Sequence, residues 1–429
     1  MGFTFVFVFG FSFYGEAQYA LVYFPVSSES PMDTLFTRYL PKLQRTATEF
    51  VREKIHEIDW KANRLIGIKG ARGAGKTTLL LQYLKLNPVP MGQALYVSLD
   101  DLYFSAHRLY DLGTEFVQKG GQLLMLDELH RYANWSQEIK NLYDDHPDLR
   151  IVFTGSSIMH LERSKGDLSR RAVMYTLHGL SFREFLQIQG IASWPRVVLD
   201  DLLAHHTELA TELTAEVKPL AHLGNYWKYG YYPYFLENTE VYGQKLTETI
   251  RLSLELDLPA VYGVSYATVD KIKQLLVVLA ESVPFKPNIS KLSELLQATR
   301  GSVVEYLHYL EELGVLNLLH RDSFGITRLQ KPDKVYLSHP NLQYALHLSQ
   351  PDKGTLRESF LLSQVLPQHQ AEYTNRGDFR LDRRITLEVG GANKSRHQVA
   401  GIDNAYVAAD NIEIGYGQKV PLWMFGLLY

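Results

Sequence analysis

The chain has 429 residues, 46% hydrophobic and 21% charged, which is enough apolar material for two or three domains with their own cores. A formal net charge of −3 gives no overall attraction for nucleic acid, so any polyanion site must be local. The absence of cysteine excludes disulfides, thiolate metal sites and a cysteine nucleophile, and it fits a reducing cytoplasm.

The opening stretch, "MGFTFVFVFGFSFYGEAQYALVYF", is rich in Phe and Tyr, yet no Lys or Arg precedes Arg38. It lacks the basic flank of a signal peptide or membrane anchor, its apolar run to Glu16 is short for a bilayer, and Val6 breaks the myristoylation pattern. We expect Met32 to be the functional start and residues 1–31 to be a spurious or disordered extension. A short hydrophobic peptide is the rival reading.

From Leu35 to Ile58 apolar residues recur at helical spacing, broken at Pro41. The run "LIGI" then reads as a first strand, and "KTTLLLQYLKL" as a buried helix. "ALYVSLDD" (94–101), "QLLMLDE" (122–128) and "RIVFTGSS" (150–157) read as further strands, with a helix between the first two ending near Gly120. Strands apolar on both faces and alternating with helices predict a parallel sheet covered on two sides. After Ser181 helices take over, beginning with "SFREFLQIQG", where Ser181 and Glu184 have capping-box spacing. Helical periodicity recurs near 197–215, 241–258 and 268–281, around an aromatic loop at 225–238. Residues 284–340 have the order of a winged helix, and the remainder mixes one helix with short strands.

Between the first strand and its helix lies "GARGAGKTT". Gly70, Gly75, Lys76 and Thr77 satisfy G-x-x-x-x-G-K-[ST] in the strand-to-helix context that this pattern requires. Its glycines, with Ala71, Arg72, Gly73 and Ala74 between and Thr78 after, let backbone N–H groups turn toward phosphate oxygens at the positive end of the helix. Lys76 would reach the β and γ phosphates of ATP, and Thr77 would hold Mg²⁺. In "LLMLDE", Asp127 and Glu128 end a strand on the same edge of the sheet. Asp127 would organise Mg²⁺, and Glu128 would activate water, which separates a hydrolase from a small-molecule kinase. Thr154 or Ser156 could contact the γ phosphate. Of the pair Arg170 and Arg171, Arg171 is the candidate arginine finger, in cis or across a subunit boundary. His130, Arg131 and Tyr132 read as packing beside the strand end.

"GARGAGKTTLLLQYLK", "LDELHRYANWSQEIKNLYDDHPDLRIVFTGSS", "LSRRAVMYTLHGLSFREF" and the tail from "ITLEVGGANK" to "WMFGLLY" resemble prokaryotic AAA-type P-loop ATPases with a C-terminal restriction-endonuclease-like domain of unknown function. The likeness runs from about residue 32 to the end. It implies an α/β P-loop NTPase sheet at 32–180, a helical lid at 181–283, a winged-helix segment at 284–340 and a small α+β endonuclease-like domain at 341–429. The nucleotide residues carried over are Gly70, Gly75, Lys76, Thr77, Asp127 and Glu128.

The recognition helix of a DNA-binding winged helix would be "GSVVEYLHYLEEL", but it carries Glu305, Glu311 and Glu312 with no Lys or Arg. Carboxylates repel phosphates, so a packing or protein-contact role is expected. In the tail, Asp378 and Glu388 have the spacing of a nuclease metal site, with Glu358 as a third ligand. The lysine such a site wants is replaced by Gly390, and Lys394 would have to turn back to serve. A degenerate, non-cutting fold is expected. The function expected is therefore an Mg²⁺-dependent, cytoplasmic ATPase that switches its C-terminal domains. The alternatives are an ATP-gated binding protein or an ATP-regulated nuclease. ATP and an unidentified protein are the expected partners, with no membrane, nucleic acid not favoured, and self-association possible.

Overall fold

The computed structural model describes the backbone of residues 6–13, 16–23 and 31, and the backbone and side chains of 32–90, 92–155, 168–282, 286–321, 331–346, 351–395 and 397–429. Ser156 lies outside the described residues. Within the segment expected to be an extension, β1 (Val6–Phe13) pairs antiparallel with β2 (Glu16–Tyr23).

Helix α1 (Pro31–Arg45) continues through Pro41, where the sequence predicted a break. Proline removes one helical hydrogen bond at a cost of about 3 kcal/mol. Burial offsets it: Met32 and Leu35 enter one apolar cluster and Tyr39 another, as the helix packs on the sheet edge. After the short α2 (Lys54–Glu57), strands and helices alternate: β3 (Leu65–Lys69), α3 (Lys76–Leu86), β4 (Ala94–Ser98), α4 (Leu109–Gln118), β5 (Leu123–Asp127), α5 (Trp135–Asp145) and β6 (Arg150–Gly155). The sheet also contains β7 (Val173–Thr176), which the sequence pattern did not single out because four half-exposed residues carry little signal.

Sheet order is β4-β5-β6-β3-β7 and every pairing is parallel. This is the α/β architecture of P-loop NTPases. Apolar side chains fill both faces. Leu65, Leu95, Leu124, Leu126 and Phe153 lie on one side, and Ile66, Ile68, Tyr96, Met125 and Val152 on the other. Each fully buried side chain of this kind contributes about 1.5–3 kcal/mol.

Beyond β7 come α6 (Phe182–Ile188), α7 (Leu199–Glu216), α8 (Leu220–Tyr229), α9 (Tyr242–Leu252), a π-helical turn (Ser253–Asp257), α10 (Leu258–Tyr262) and α11 (Tyr266–Ser282). The capping box predicted at Ser181 and Glu184 is formed in full. Then α12 (Ile289–Leu295) and α13 (Arg300–Glu312) precede the antiparallel pair β8 (Leu316–Leu319) and β9 (Lys334–Leu337). After α14 (Pro340–Leu346) and α15 (Lys353–Val365) comes a second five-stranded sheet: β10 (Ala371–Tyr373), β11 (Phe379–Leu381), β12 (Ile385–Gly390), β13 (Ala405–Ala409) and β14 (Lys419–Pro421). "FRLDRRITLEV" is thus two strands, because Asp382 and Arg383 both take positive φ, 47° and 59°, and reverse the chain.

One apolar cluster runs from Leu180 to Leu428, so the helices after β7 and the final sheet share a core. The last residues fold back on α6 and the chain after it. Val197 N–H donates to Leu427 O at 2.9 Å, and the Arg196 guanidinium donates to Leu428 O at 3.1 Å. Among the described residues, no helix is long and apolar enough to cross a membrane.

Candidate functional site

The glycine-rich loop joins the carboxyl end of β3 to the amino end of α3, with Gly75 in the left-handed region at φ 95° and Gly73 at φ 85°. These angles turn the chain where a side chain would be strained. At Gly70 the constraint is space, since an added Cβ would run into the carbonyl oxygen of Leu177. Lys76 is buried and donates to the carbonyls of Gly70 at 2.9 Å and Ala71 at 3.1 Å. Burial pulls its pKa below the ordinary lysine value, while Glu128 and Asp127 act in the opposite sense. The cation therefore lies folded into its own loop, close to the two acids that the sequence paired with it.

Asp127 ends β5 and is fully engaged. Its Oδ2 accepts from Thr77 Oγ1 at 2.6 Å and from the Tyr96 hydroxyl at 2.7 Å. Its Oδ1 accepts from Thr154 Oγ1 and from the Glu128 N–H at 3.2 Å. The hydroxyl of the first turn of α3, the carboxylate of β5 and the hydroxyl of β6 are thus brought to one point at the carboxyl edge of the parallel sheet. An oxygen-only set of this kind suits a hard cation such as Mg²⁺. Thr154 also accepts from the Glu128 N–H at 3.1 Å, so it braces the acid turn.

Glu128 sits at φ 54°, ψ 39°, a conformation that costs a non-glycine residue about 1 kcal/mol or more. Its carboxylate stays partly open, with a side chain 25% exposed, while His130 Nε2 lies 3.5 Å away. An accessible acid on a strained turn can contact water; a buried, saturated one such as Asp127 can only organise.

Arg171 is not brought to this cradle. It precedes β7, at the amino end of a parallel strand, and pairs in a bidentate fashion with Asp144 at 3.1 Å near the end of α5. The cradle lies at the carboxyl ends, across the sheet, so the cis finger reading of the sequence is corrected by topology.

Sequence reasoning missed Arg52. Its guanidinium, 8% exposed, donates to Glu184 Oε1 at 2.8 Å, to Ala74 O at 3.3 Å, to His178 O at 3.2 Å and to Gly179 O at 2.9 Å. One side chain thereby ties the glycine loop to the end of β7 and the start of α6. Nothing in the local pattern "VREK" marks it, because all its partners are distant in sequence. The aromatic loop was also unassigned, and it covers the cradle: an added Cβ at Gly73 would lie 2.8 Å from Tyr234, and one at Gly75 3.7 Å from Pro233.

Residues 62–186 match the family described as AAA domain. Residues 220–352 match a family described as a domain of unknown function, DUF8612. Neither match reaches residues 353–429, where the resemblance led us to expect an endonuclease-like domain. No curated protein matches the chain. Among solved structures, it is similar to PCH-2 of C. elegans, at 14% identity and TM-score 0.23 over 38% of this chain and 48% of that one. It is also similar to AMPPCP-bound DnaA from Aquifex aeolicus, at 16% identity and TM-score 0.23 over 61% of this chain and 85% of that one. The AAA match and the cradle geometry together support nucleotide binding.

The acids expected to form a metal site, Glu358 on α15, Asp378 just before β11 and Glu388 in β12, are near one another but already engaged. Glu358 accepts from Lys334 at 3.0 Å and from the Tyr336 hydroxyl at 2.6 Å. Lys394 does turn back, and pairs with Glu388 at 2.5 Å, because the bare Gly390 leaves room for its stem. Asp378 accepts from the Val389 N–H at 2.8 Å. Burial, with Glu358 and Glu388 nearby, pushes its carboxyl up to about 6. Among the described residues, no group of three His, Cys, Asp or Glu side chains is arranged to hold a metal ion.

Proposed function

We propose that the chain binds ATP with Mg²⁺ at the glycine-rich loop and hydrolyses it to ADP and phosphate. The observation that carries this reading is the 2.6 Å contact of Thr77 Oγ1 with Asp127 Oδ2, with Lys76 beside them and Glu128 next in sequence. Gly70, Ala71, Arg72, Gly73, Ala74, Gly75 and Thr78 form the backbone cradle for the phosphates. Lys76 leaves the carbonyls of Gly70 and Ala71 to meet the β and γ phosphates. Thr77 and Asp127 would hold Mg²⁺, which supplies charge neutralisation to the phosphates when bound. Glu128 orients and deprotonates the attacking water.

The remainder of the chain is read as the machinery that the nucleotide moves: a helical lid at 181–283, a winged-helix-like unit at 284–340 used for packing or protein contact, and a non-cutting sheet domain at 341–429. The ionic engagement of Glu358 and Glu388 supports the last assignment. A cytoplasmic location and a protein partner belong to the same proposal.

The test is steady-state phosphate release by the full chain with ATP and Mg²⁺, beside Lys76→Ala and Glu128→Gln. Expected is measurable release, abolished in both variants, with ATP binding lost only in Lys76→Ala. Tight ATP binding with no release above background would leave an ATP-gated binding protein instead. Unchanged ATP binding by Lys76→Ala would remove the cradle assignment.

A further inference from the structure

Asp257 belongs to the π-helical turn between α9 and α10, yet its carboxylate serves the AAA region. Its side chain is 1% exposed. Arg72 of the glycine-rich loop reaches its Oδ1 at 2.8 Å, and Arg131 reaches the same oxygen at 3.4 Å. The third neighbour is His130, whose Nε2 lies 3.4 Å from Asp257 Oδ1 and 3.5 Å from Glu128 Oε2. His130 is itself 3% exposed at the side chain. One imidazole nitrogen thus stands between a carboxylate from the helical segment and the carboxylate assigned to activate water.

We infer that Asp257 and His130 are positioning residues for hydrolysis: Asp257, carried by the helical segment, holds His130 against Glu128 and so fixes the orientation of the base. The inference rests on the hydrolytic reading above and names how that activity is controlled.

Glu128 lies on a left-handed turn with a side chain 25% exposed, so its own backbone and solvent leave the carboxylate several orientations. Packing, not local bonding, must select one. His130 Nε2 stands 3.5 Å from that carboxylate and 3.4 Å from Asp257 on its far side, so packing between the two acids sets where the ring stands. The π-helical turn carrying Asp257 runs directly into Pro259, whose missing N–H breaks the regular helical ladder there, and such turns recur at functional sites. Finally, Arg72 places the same carboxylate in contact with the phosphate-binding loop. Triphosphate charge arriving at that loop competes with Asp257 for Arg72, so nucleotide state and the grip on His130 are linked through one oxygen.

Displacing a reacting group by about 1 Å costs on the order of 100-fold in rate. Asp257→Asn and His130→Gln in the full chain are each expected to lower kcat at least about 10-fold; His130→Gln leaves KM for ATP within about 3-fold, because His130 faces the two carboxylates, whereas Asp257→Asn frees Arg72 for the triphosphate and does not raise KM. The double variant is expected to be no slower than the slower single variant, since both act through one relay. A merely structural role would not produce this split or this non-additivity.

A single variant with wild-type kcat, losses that multiply in the double variant, or kcat and ATP affinity falling together would overturn the inference. If Asp257→Asn melts before it can be assayed, His130→Gln decides alone. Absence of phosphate release from the wild-type chain removes the hydrolytic reading and this relay with it. Release by the wild type and by Asp257→Asn alike removes the relay and leaves the hydrolytic reading standing.

Discussion

Arg52 and Glu184 stand 132 positions apart and form an ion pair of 2.8 Å in which both side chains are almost wholly buried. Glu184 also accepts from the Ser181 N–H at 3.1 Å as part of the capping box of α6. The pair joins the glycine-rich loop, through the Ala74 carbonyl, to the first helix after the parallel sheet.

Removing one member of a buried pair leaves the other charged and unsolvated, which costs about 3–5 kcal/mol. Arg52→Met is therefore expected to destabilise the chain by roughly that amount, read by urea unfolding. It should also weaken nucleotide binding, because the Ala74 carbonyl loses its donor. Unchanged stability would mean that solvent reaches Glu184.

Tyr96 offers a milder perturbation of the same centre. Its hydroxyl donates to Asp127 at 2.7 Å, and burial first, then Asp127, raises its pKa so that it remains a donor. Tyr96→Phe is expected to cost about 1 kcal/mol in stability and to lower kcat a few-fold, with Thr77 still in place. A loss as deep as that of Glu128→Gln would show that Tyr96 does more than hold Asp127.

Gly70 tests the tight approach of loop and strand. The obstacle to a Cβ there is the Leu177 carbonyl, which is backbone at the end of β7 and cannot rotate away. Gly70→Ala is expected to destabilise by about 1–3 kcal/mol, seen as a lowered melting temperature, and to reduce nucleotide affinity. Gly92→Ala, where the added Cβ meets nothing but φ is 86°, is the comparison that separates crowding from backbone strain.

Asp378 predicts a pH dependence. Its carboxyl is pushed up to about 6 by burial and by Glu358 and Glu388, above the unfolded value of about 4. The native state then holds the proton over a range in which the unfolded chain has released it. The contribution of this carboxyl to stability falls as pH rises from about 4 to about 6, by on the order of 2 kcal/mol. Asp378→Asn, which cannot ionise, should flatten that part of the stability curve. A wild-type curve that rises through the same interval relative to that of Asp378→Asn would reverse the assignment.

Much of the cradle was legible because its chemistry is local. Gly70, Gly75, Lys76 and Thr77 lie within eight residues, and the apolar runs of β3, β5 and β6 carry a pattern that survives without knowledge of neighbours. Asp127 and Glu128 could be read from the strand they end. The capping box at Ser181 and Glu184 was legible for the same reason. Pro41 misled because local cost was weighed without the burial of Met32, Leu35 and Tyr39. The strand β7 was overlooked because it is short and half exposed, and is held mainly by pairing with β3.

By itself, then, the sequence determined the phosphate-binding loop, the acids opposite it and the alternation that makes a parallel sheet, since each depends on residues within a helical turn or a strand length. Tertiary structure alone decided that Arg52 braces the loop, that Arg171 faces the other edge of the sheet, and that Asp257 meets His130. Those relationships depend on chain segments tens to hundreds of positions apart. Their geometry is set by burial and by strand direction, which no local pattern of residue types encodes.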